Sequence, residues 1–227
     1  MKKATNVLGE AMLEYLNDNS SKLYLIKKDK SKFTIDLSYY FREYKDLSNL
    51  EKKAISLANG HILDIGCATG YYIPALKKFG IVDAIDISEH AISIAKAKGI
   101  EECHIADIFK YNPPKKYDTI TLFENTLGLG GNLSKTKRLF KILMKLLKED
   151  GQIIAIVRHT NYRKKYISSK YIPLWKEKPA KKFRWFYFNI HYFGIFCSKF
   201  NLELEILDED IDEGRKIYLV RMTFNNF

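Results

Sequence analysis

The run Asp64-Ile-Gly-Cys-Ala-Thr-Gly70 places an acid ahead of a turn built from small residues, Gly66, Cys67, Ala68 and Gly70. Small side chains let backbone come close to a ligand, and a turn that opens a helix points its N–H groups outward. Asp86 stands twenty residues after Gly66 and is followed by Ile87. A carboxylate at that remove can accept both hydroxyls of a ribose. Asp107-Ile108 then supplies another acid and an apolar side chain, suited to the amino group and the face of an adenine. Taken singly, each has a plainer reading: a structural glycine turn, an aspartate helix cap, a core isoleucine. Their occurrence in series points to an adenosine-shaped ligand.

The elements that must carry these residues alternate between strand and helix from Gly60 onward, as expected of a parallel sheet covered on both faces. Strands are expected over 61–65, 82–86, 102–106, 117–123 and 152–157. Helices are expected over 71–79, with Pro74 in the first turn, over 89–98 between the cap Ser88 and the stop Gly99, and over 137–148. Each acid thus falls at a strand tip. A further strand over 183–188, a helix over 190–200 and a strand pair over 202–207 and 216–223 complete the pattern, while residues before Asn59 read as mainly helical.

With Asp64 to Gly70, Asp86, Asp107-Ile108 and Phe123-Glu124-Asn125 in this order, the chain resembles the class I S-adenosylmethionine-dependent methyltransferases from about Gly60 to the C-terminus. The resemblance implies an α/β fold, a Rossmann-like three-layer α/β/α sandwich. Its seven-stranded sheet is mostly parallel with one antiparallel strand near the edge, and here it is joined by an N-terminal helical cap. Two units follow: a cap or lid at 1–58, and a cofactor-binding domain at 59–227 with a basic aromatic insertion at about 158–184. It implies S-adenosylmethionine as cofactor and S-adenosylhomocysteine as product. Asp64, Gly66, Cys67, Ala68 and Gly70 would wrap the methionine portion, Asp86 and Ile87 the ribose, and Asp107 and Ile108 the adenine, with Phe123 and Glu124 beside the methionine end. Ala68 departs from the family's usual middle glycine. A dinucleotide-binding dehydrogenase would instead show Gly-x-Gly-x-x-Gly.

The acceptor is less defined. A sulfonium carries its own leaving group, so positioning and desolvation supply much of the acceleration and a catalytic base is optional. Glu124, His159, His191 and Tyr40 are candidates for that base. The aromatic run 39–44 reads either as a lid, with Tyr40 or Arg42 reaching the methionine carboxylate or the acceptor, or as packing. Asn112-Pro113-Pro114 precedes the fourth strand and is a loop, unlike the turn that follows that strand in adenine- and glutamine-modifying relatives. The expected acceptor is an O or N atom of a small molecule, natural product or short peptide.

Net charge opens an alternative. The 227-residue chain carries +11, and residues 158–184 hold ten basic residues against one acid, Glu177. Tyr162, Tyr166, Tyr171 and Trp175 interleave with these cations, a combination that also serves RNA. An RNA or ribosome-associated methyltransferase is therefore the alternative, and a non-catalytic S-adenosylmethionine-binding protein a second. Cys67, Cys103 and Cys197 form no Cys-x-x-Cys pair, so neither a disulfide framework nor a metal site is expected. No apolar run approaches the ~20 residues that span a bilayer. The sequence reads as soluble and cytoplasmic, without a membrane partner, and sets no oligomeric state.

Overall fold

A computed structural model describes residues 3–160 and 163–225. Tyr162 lies outside the described residues. The central sheet runs β11–β12–β7–β6–β3–β4–β5, where β3 is Gly60–Ile65, β4 Gly80–Asp86, β5 Cys103–Ile105, β6 Tyr117–Leu122, β7 Leu147–Arg158, β11 Leu202–Asp212 and β12 Arg215–Phe224. Strands β3 to β7 pair in parallel, and β12 runs antiparallel to both β7 and β11. Strand order reverses between β3 and β6, which opens a crevice beyond their C-terminal ends.

Both faces of the sheet are apolar, and each is closed by helices. On one side α5 (Leu133–Leu146) and α6 (Ile190–Ser198) set Leu139, Phe140, Leu143, Phe193 and Phe196 against Leu63, Ile120, Ile153 and Val220. On the other, α2 (Asn49–Ser56), α3 (Ile73–Leu76) and α4 (Glu89–Ala97) set Leu50, Ile55, Leu76 and Ile92 against Ile62, Val82 and Ile154. Each fully buried aliphatic or aromatic side chain contributes roughly 1.5–3 kcal/mol, so the two layers hold the sheet without disulfides. All three cysteines are free and buried.

Element limits differ from expectation where caps act. Helix α5 begins at Leu133 because Asn132 Oδ1 accepts the Lys135 N–H at 3.0 Å. Helix α3 shrinks to four residues; the chain beyond it tightens into three-residue turns, with Lys78 N–H donating to Ala75 O and Phe79 N–H to Leu76 O.

The N-terminal segment is helical at both ends and in two short 3-10 turns, Leu37–Phe41 and Tyr44–Asp46. Between α1 (Ala4–Asn17) and α2 lies a hairpin, β1 (Leu23–Ile26) and β2 (Lys32–Ile35), that the mainly helical expectation did not contain. Strand β1 pairs with β8 (Tyr166–Trp175), which also pairs with β9 (Lys178–Pro179) and β10 (Phe183–Phe188), forming a second, antiparallel sheet. The expected strand at 183–188 therefore belongs to this cap sheet and not to the central one. Helix α1 anchors the assembly, its Val7, Ala11 and Met12 packing with Ala91 and Ile94 of α4 and with Leu23, Leu37 and Ala180. No described helix is long and apolar enough to cross a membrane.

Candidate active site at the strand tips

Beyond β3 the chain turns back on β4: Gly66 N–H and Cys67 N–H both donate to Ile85 O, at 2.8 and 3.1 Å. Gly66 takes φ +80°, and a Cβ there would lie 3.1 Å from Thr126 Cγ2, so both backbone and neighbour select glycine. Ala68 is left-handed as well, at φ +48°, a conformation that costs an L-residue about 1–2 kcal/mol. Its N–H donates to Asp86 Oδ2 at 3.0 Å, which helps hold it there. Cys67 is buried, and the neighbouring Cys103 thiol together with burial holds its thiol far above the usual range.

Two of the acids, Asp64 and Asp86, lie within electrostatic reach of each other. Asp64 is 2% exposed; burial pushes its carboxyl up to about 7, against the lowering effect of Thr121 Oγ1, which donates to it at 2.6 Å. The nearby Asp86 charge raises it further. Asp86, at the tip of β4, turns toward the glycine turn: Oδ2 takes the Ala68 N–H and Oδ1 the Ser88 N–H at 2.8 Å, while burial raises its pKa. Asp107 Oδ1 accepts the Phe109 N–H at 2.9 Å, and the residue lines a cleft of about 310 Å³ with Ala106, Lys110, Tyr111 and Pro113. Ile87 is 52% exposed at the strand tip, but Ile108 is 6% exposed and packs in the core beside α5. The apolar face expected from Ile108 is thus directed into the protein.

Beyond β6, Glu124 and Asn125 are both left-handed, at φ +49° and +58°, making a sharp corner after the buried Phe123. Glu124 Oε1 lies 3.2 Å from Arg42 Nη2 and accepts from the Tyr72 hydroxyl at 3.3 Å. Protein around it and the Glu51 charge raise its pKa, although 40% of its side chain stays open. Arg42 is clamped by Glu51, at 2.8 and 3.2 Å, and lies between the rings of Tyr39 and Tyr71, its Cζ 4.2 and 5.3 Å from their centroids. Glu51 in turn accepts from the Tyr72 hydroxyl and the Ser48 N–H. Tyr40 completes the closure: its carbonyl accepts the Thr69 hydroxyl, and burial together with the charges of Glu124 and Asp86 raises its phenol.

The two histidines are not among these groups. His159 Nδ1 accepts the Ile190 N–H at 3.1 Å and its ring lies edge-on to Tyr218, while His191 is exposed at the start of α6. Residues alternate sides along a strand, so the neighbour of His159, Arg158, carries the opposite side of β7. Arg158 pairs with Asp212 and, at 3.1 Å, with Glu213, and its N–H donates to Asn125 Oδ1 at 3.1 Å. Glu51, Tyr72, Arg158 and Asp212 escaped the sequence reading; only Glu51 had a local signal, the Ser48-x-x-Glu51 capping box that the structure forms.

The basic aromatic region folds inward. Tyr171 is buried against Phe33 and Phe183, and Trp175 packs on the cluster beneath α1. Tyr166, 38% exposed, leans on Phe186 at 5.1 Å between centroids.

These acids and the tight turn beside them sit on a Rossmann-like methyltransferase fold. Residues 62–151 match the sequence model of a methyltransferase domain. A Geobacillus sp. (strain WCH70) protein, provisionally named a methyltransferase, is 32% identical over 112 residues, 47% of this chain and 45% of its own length. The ubiquinone biosynthesis O-methyltransferase of Coxiella burnetii is 28% identical over 120 residues, 49% of each chain. The chain thus spans about half the length of the curated relatives it matches. Among solved structures, the S-adenosylmethionine-dependent methyltransferase of Bacteroides fragilis, in complex with S-adenosylhomocysteine, superposes with a TM-score of 0.86. That alignment covers 99% of this chain and 97% of the other at 23% identity, which carries the fold.

Proposed function

We propose that this chain transfers a methyl group from S-adenosylmethionine to an O or N atom of a small molecule, natural product or short peptide. Residues 59–227 form the catalytic unit in this reading, and residues 1–58 the cap over it. The observation that carries it is the pair Asp64 and Asp86: two acids within electrostatic reach of each other at adjacent strand tips, one of them buried with no cationic partner among the described residues. A buried carboxylate raised to about 7 fits an ammonium group, whose charge would return it to the ionised form. Asp86, fixed by two backbone N–H groups, keeps lone pairs for a diol. The cofactor would thus be held by Asp64 and the turn from Gly66 to Gly70 at its methionine end, by Asp86 and Ile87 at the ribose, and by Asp107 and its cleft at the adenine.

Once bound, the cofactor supplies an electrophilic methyl carbon on a good leaving group. What the chain adds is position and dryness. Arg42, fixed by Glu51 and the flanking tyrosine rings, presents a guanidinium to a carboxylate, and the Tyr40 segment covers the turn and excludes water. Glu124, half-open beside both, is the group placed to take a proton from the acceptor. The folded-in rings of Tyr171 and Trp175 present no stacking platform, which favours a small acceptor over RNA.

Titration calorimetry with S-adenosylmethionine tests the reading. Binding at micromolar concentration is expected, and no heat up to millimolar cofactor overturns it. Tight association with RNA that falls steeply with salt would move the acceptor to nucleic acid. Cofactor binding with no methyl transfer to any acceptor would leave a binding protein.

A further inference from the structure

The rim facing the Glu124 corner carries charge opposite to that of the whole chain. The charges that act most on the Tyr39 hydroxyl include Asp212, Arg42, Glu124 and Glu51, and Asp212 and Glu51 act on Glu124 together with Arg158. Arg42 is neutralised by Glu51, and Arg158 by Asp212 and Glu213. Glu124 is left with one long contact to Arg42 and one to Tyr72, both through Oε1; its Oε2 meets no hydrogen-bond donor among the described residues. With Glu213, four carboxylates lie around the Arg42 and Arg158 guanidiniums, with Arg215 across the hairpin from Asp212, in a protein of net charge +11. A cation entering this rim gains Coulomb energy that an anion or a neutral alcohol does not. The Tyr39 ring, 40% exposed, adds an aromatic wall for the same cation.

A second, independent observation lies next to it. Asn125 is 5% exposed; its Oδ1 accepts the Arg158 N–H, which fixes Nδ2 as the remaining donor, and that donor is buried without a partner. Leaving a buried donor unsatisfied is costly, so such a group marks a place that a ligand atom or a water would complete. An N–H donor is completed by an oxygen lone pair, not by an ammonium.

We propose, building on the methyltransferase reading, that the acceptor is a small hydroxylated amine. Its nitrogen faces Glu124 and Asp212, and its oxygen accepts from Asn125 Nδ2. The ammonium first gives a proton to Glu124. The freed nitrogen lone pair then forms the N–C bond to the methyl group as the C–S bond breaks, its electron pair returning to sulfur. The methylated ammonium that results releases its extra proton to solvent. Glu124 is a catalytic residue in this scheme, and Asp212 and Asn125 are specificity residues.

Three probes of similar shape separate the parts: 2-aminocyclohexanol, cyclohexylamine and cyclohexanol, titrated by NMR into the full chain with and without saturating S-adenosylhomocysteine. Both amines are expected to bind at least about tenfold more tightly than cyclohexanol, and 2-aminocyclohexanol more tightly than cyclohexylamine. Asp212→Asn and Glu124→Gln should each cut the preference for amine over alcohol severalfold. Asn125→Gly, which a left-handed backbone accommodates, should abolish the preference for amino alcohol over amine and leave the other intact. Equal binding of cyclohexanol, or an amine preference untouched in both carboxylate variants, overturns the proposal. S-Adenosylhomocysteine binding is read separately in the same samples, so failure of the cofactor reading is distinguishable from failure of the acceptor reading.

Discussion

Asp64 is the residue whose chemistry has the widest reach. Its folded pKa of about 7 stands above the unfolded value of 3.8, so the folded state holds its proton to higher pH than the unfolded chain does. Stability on this account is highest below about pH 4, falls as pH rises toward 7, and is level beyond. Asp64→Asn should therefore raise the melting temperature by several degrees at pH 8, with the gain vanishing near pH 4, as measured by calorimetric scans of both proteins. Ligand binding runs the other way. An ammonium favours the ionised carboxylate, so cofactor affinity should strengthen by up to about tenfold per pH unit below 7 and then plateau, a dependence absent in Asp64→Asn. Asp86→Ala removes the ribose acceptor and the anchor of Ala68 together. We expect at least about a hundredfold loss in cofactor affinity by calorimetry, from two charge-assisted hydrogen bonds of roughly 1.5–3 kcal/mol each. These positions were readable in sequence because each acid follows a short apolar run closed by small or polar residues, so the strand tip and its carboxylate are announced together. Arg42 with Glu124, and Arg158 with Asp212, are joined across long stretches of chain by tertiary folding, and no spacing rule places them.

Among the elements, the docking of α1 on α4 decides where the cap sits. A Cβ on Gly9 would lie 2.7 Å from both His90 Cβ and Ser88 Oγ, closer than packed atoms tolerate, and Ser88 is itself the cap of α4. Gly9→Ala should push the helices apart in spite of alanine's higher helix propensity. The expected result is faster amide exchange in α1 and weakened cofactor binding, with β3 to β7 unaffected; unchanged exchange would show that the contact gives way easily. The hairpin β1–β2 was not legible because its two four-residue runs are too short to distinguish strand from helix, and its register is set by β8, which lies far along the chain. Helix α3 shows the reverse failure. Its apolar pattern extends past the point where the turns tighten, and periodicity does not see backbone geometry.

For the molecule as a whole, two sheets of different character share one chain. The parallel sheet is covered by helices on both sides, whereas the cap sheet rests on α1 and on the turn after β6, where Ser168 Oγ donates to Gly131 O at 2.5 Å. The two should therefore open separately. Leu25→Pro, which removes an N–H from β1, is expected to speed exchange in β2 and β8 at least about tenfold while β3, β4 and β6 keep their protection; loss of protection in both sheets together would show a single cooperative unit. The alternation of strand and helix made the parallel sheet readable from Gly60 onward. The cap sheet was hidden because two of its strands, β1 and β2, precede that pattern and the other three, β8 to β10, are inserted between β7 and α6.

The pairing of Leu23 with Trp175 has a consequence for synthesis. A ribosome emits the first hairpin long before the strand it must join, and α1 before the helix it leans on. During translation β1 and β2 have each other but not β8, and loop-closure entropy makes that distant partnership slow. Strands β3 to β7 are thus emitted before β8 to β10 can join the hairpin, and β11 and β12, which widen the central sheet, follow both.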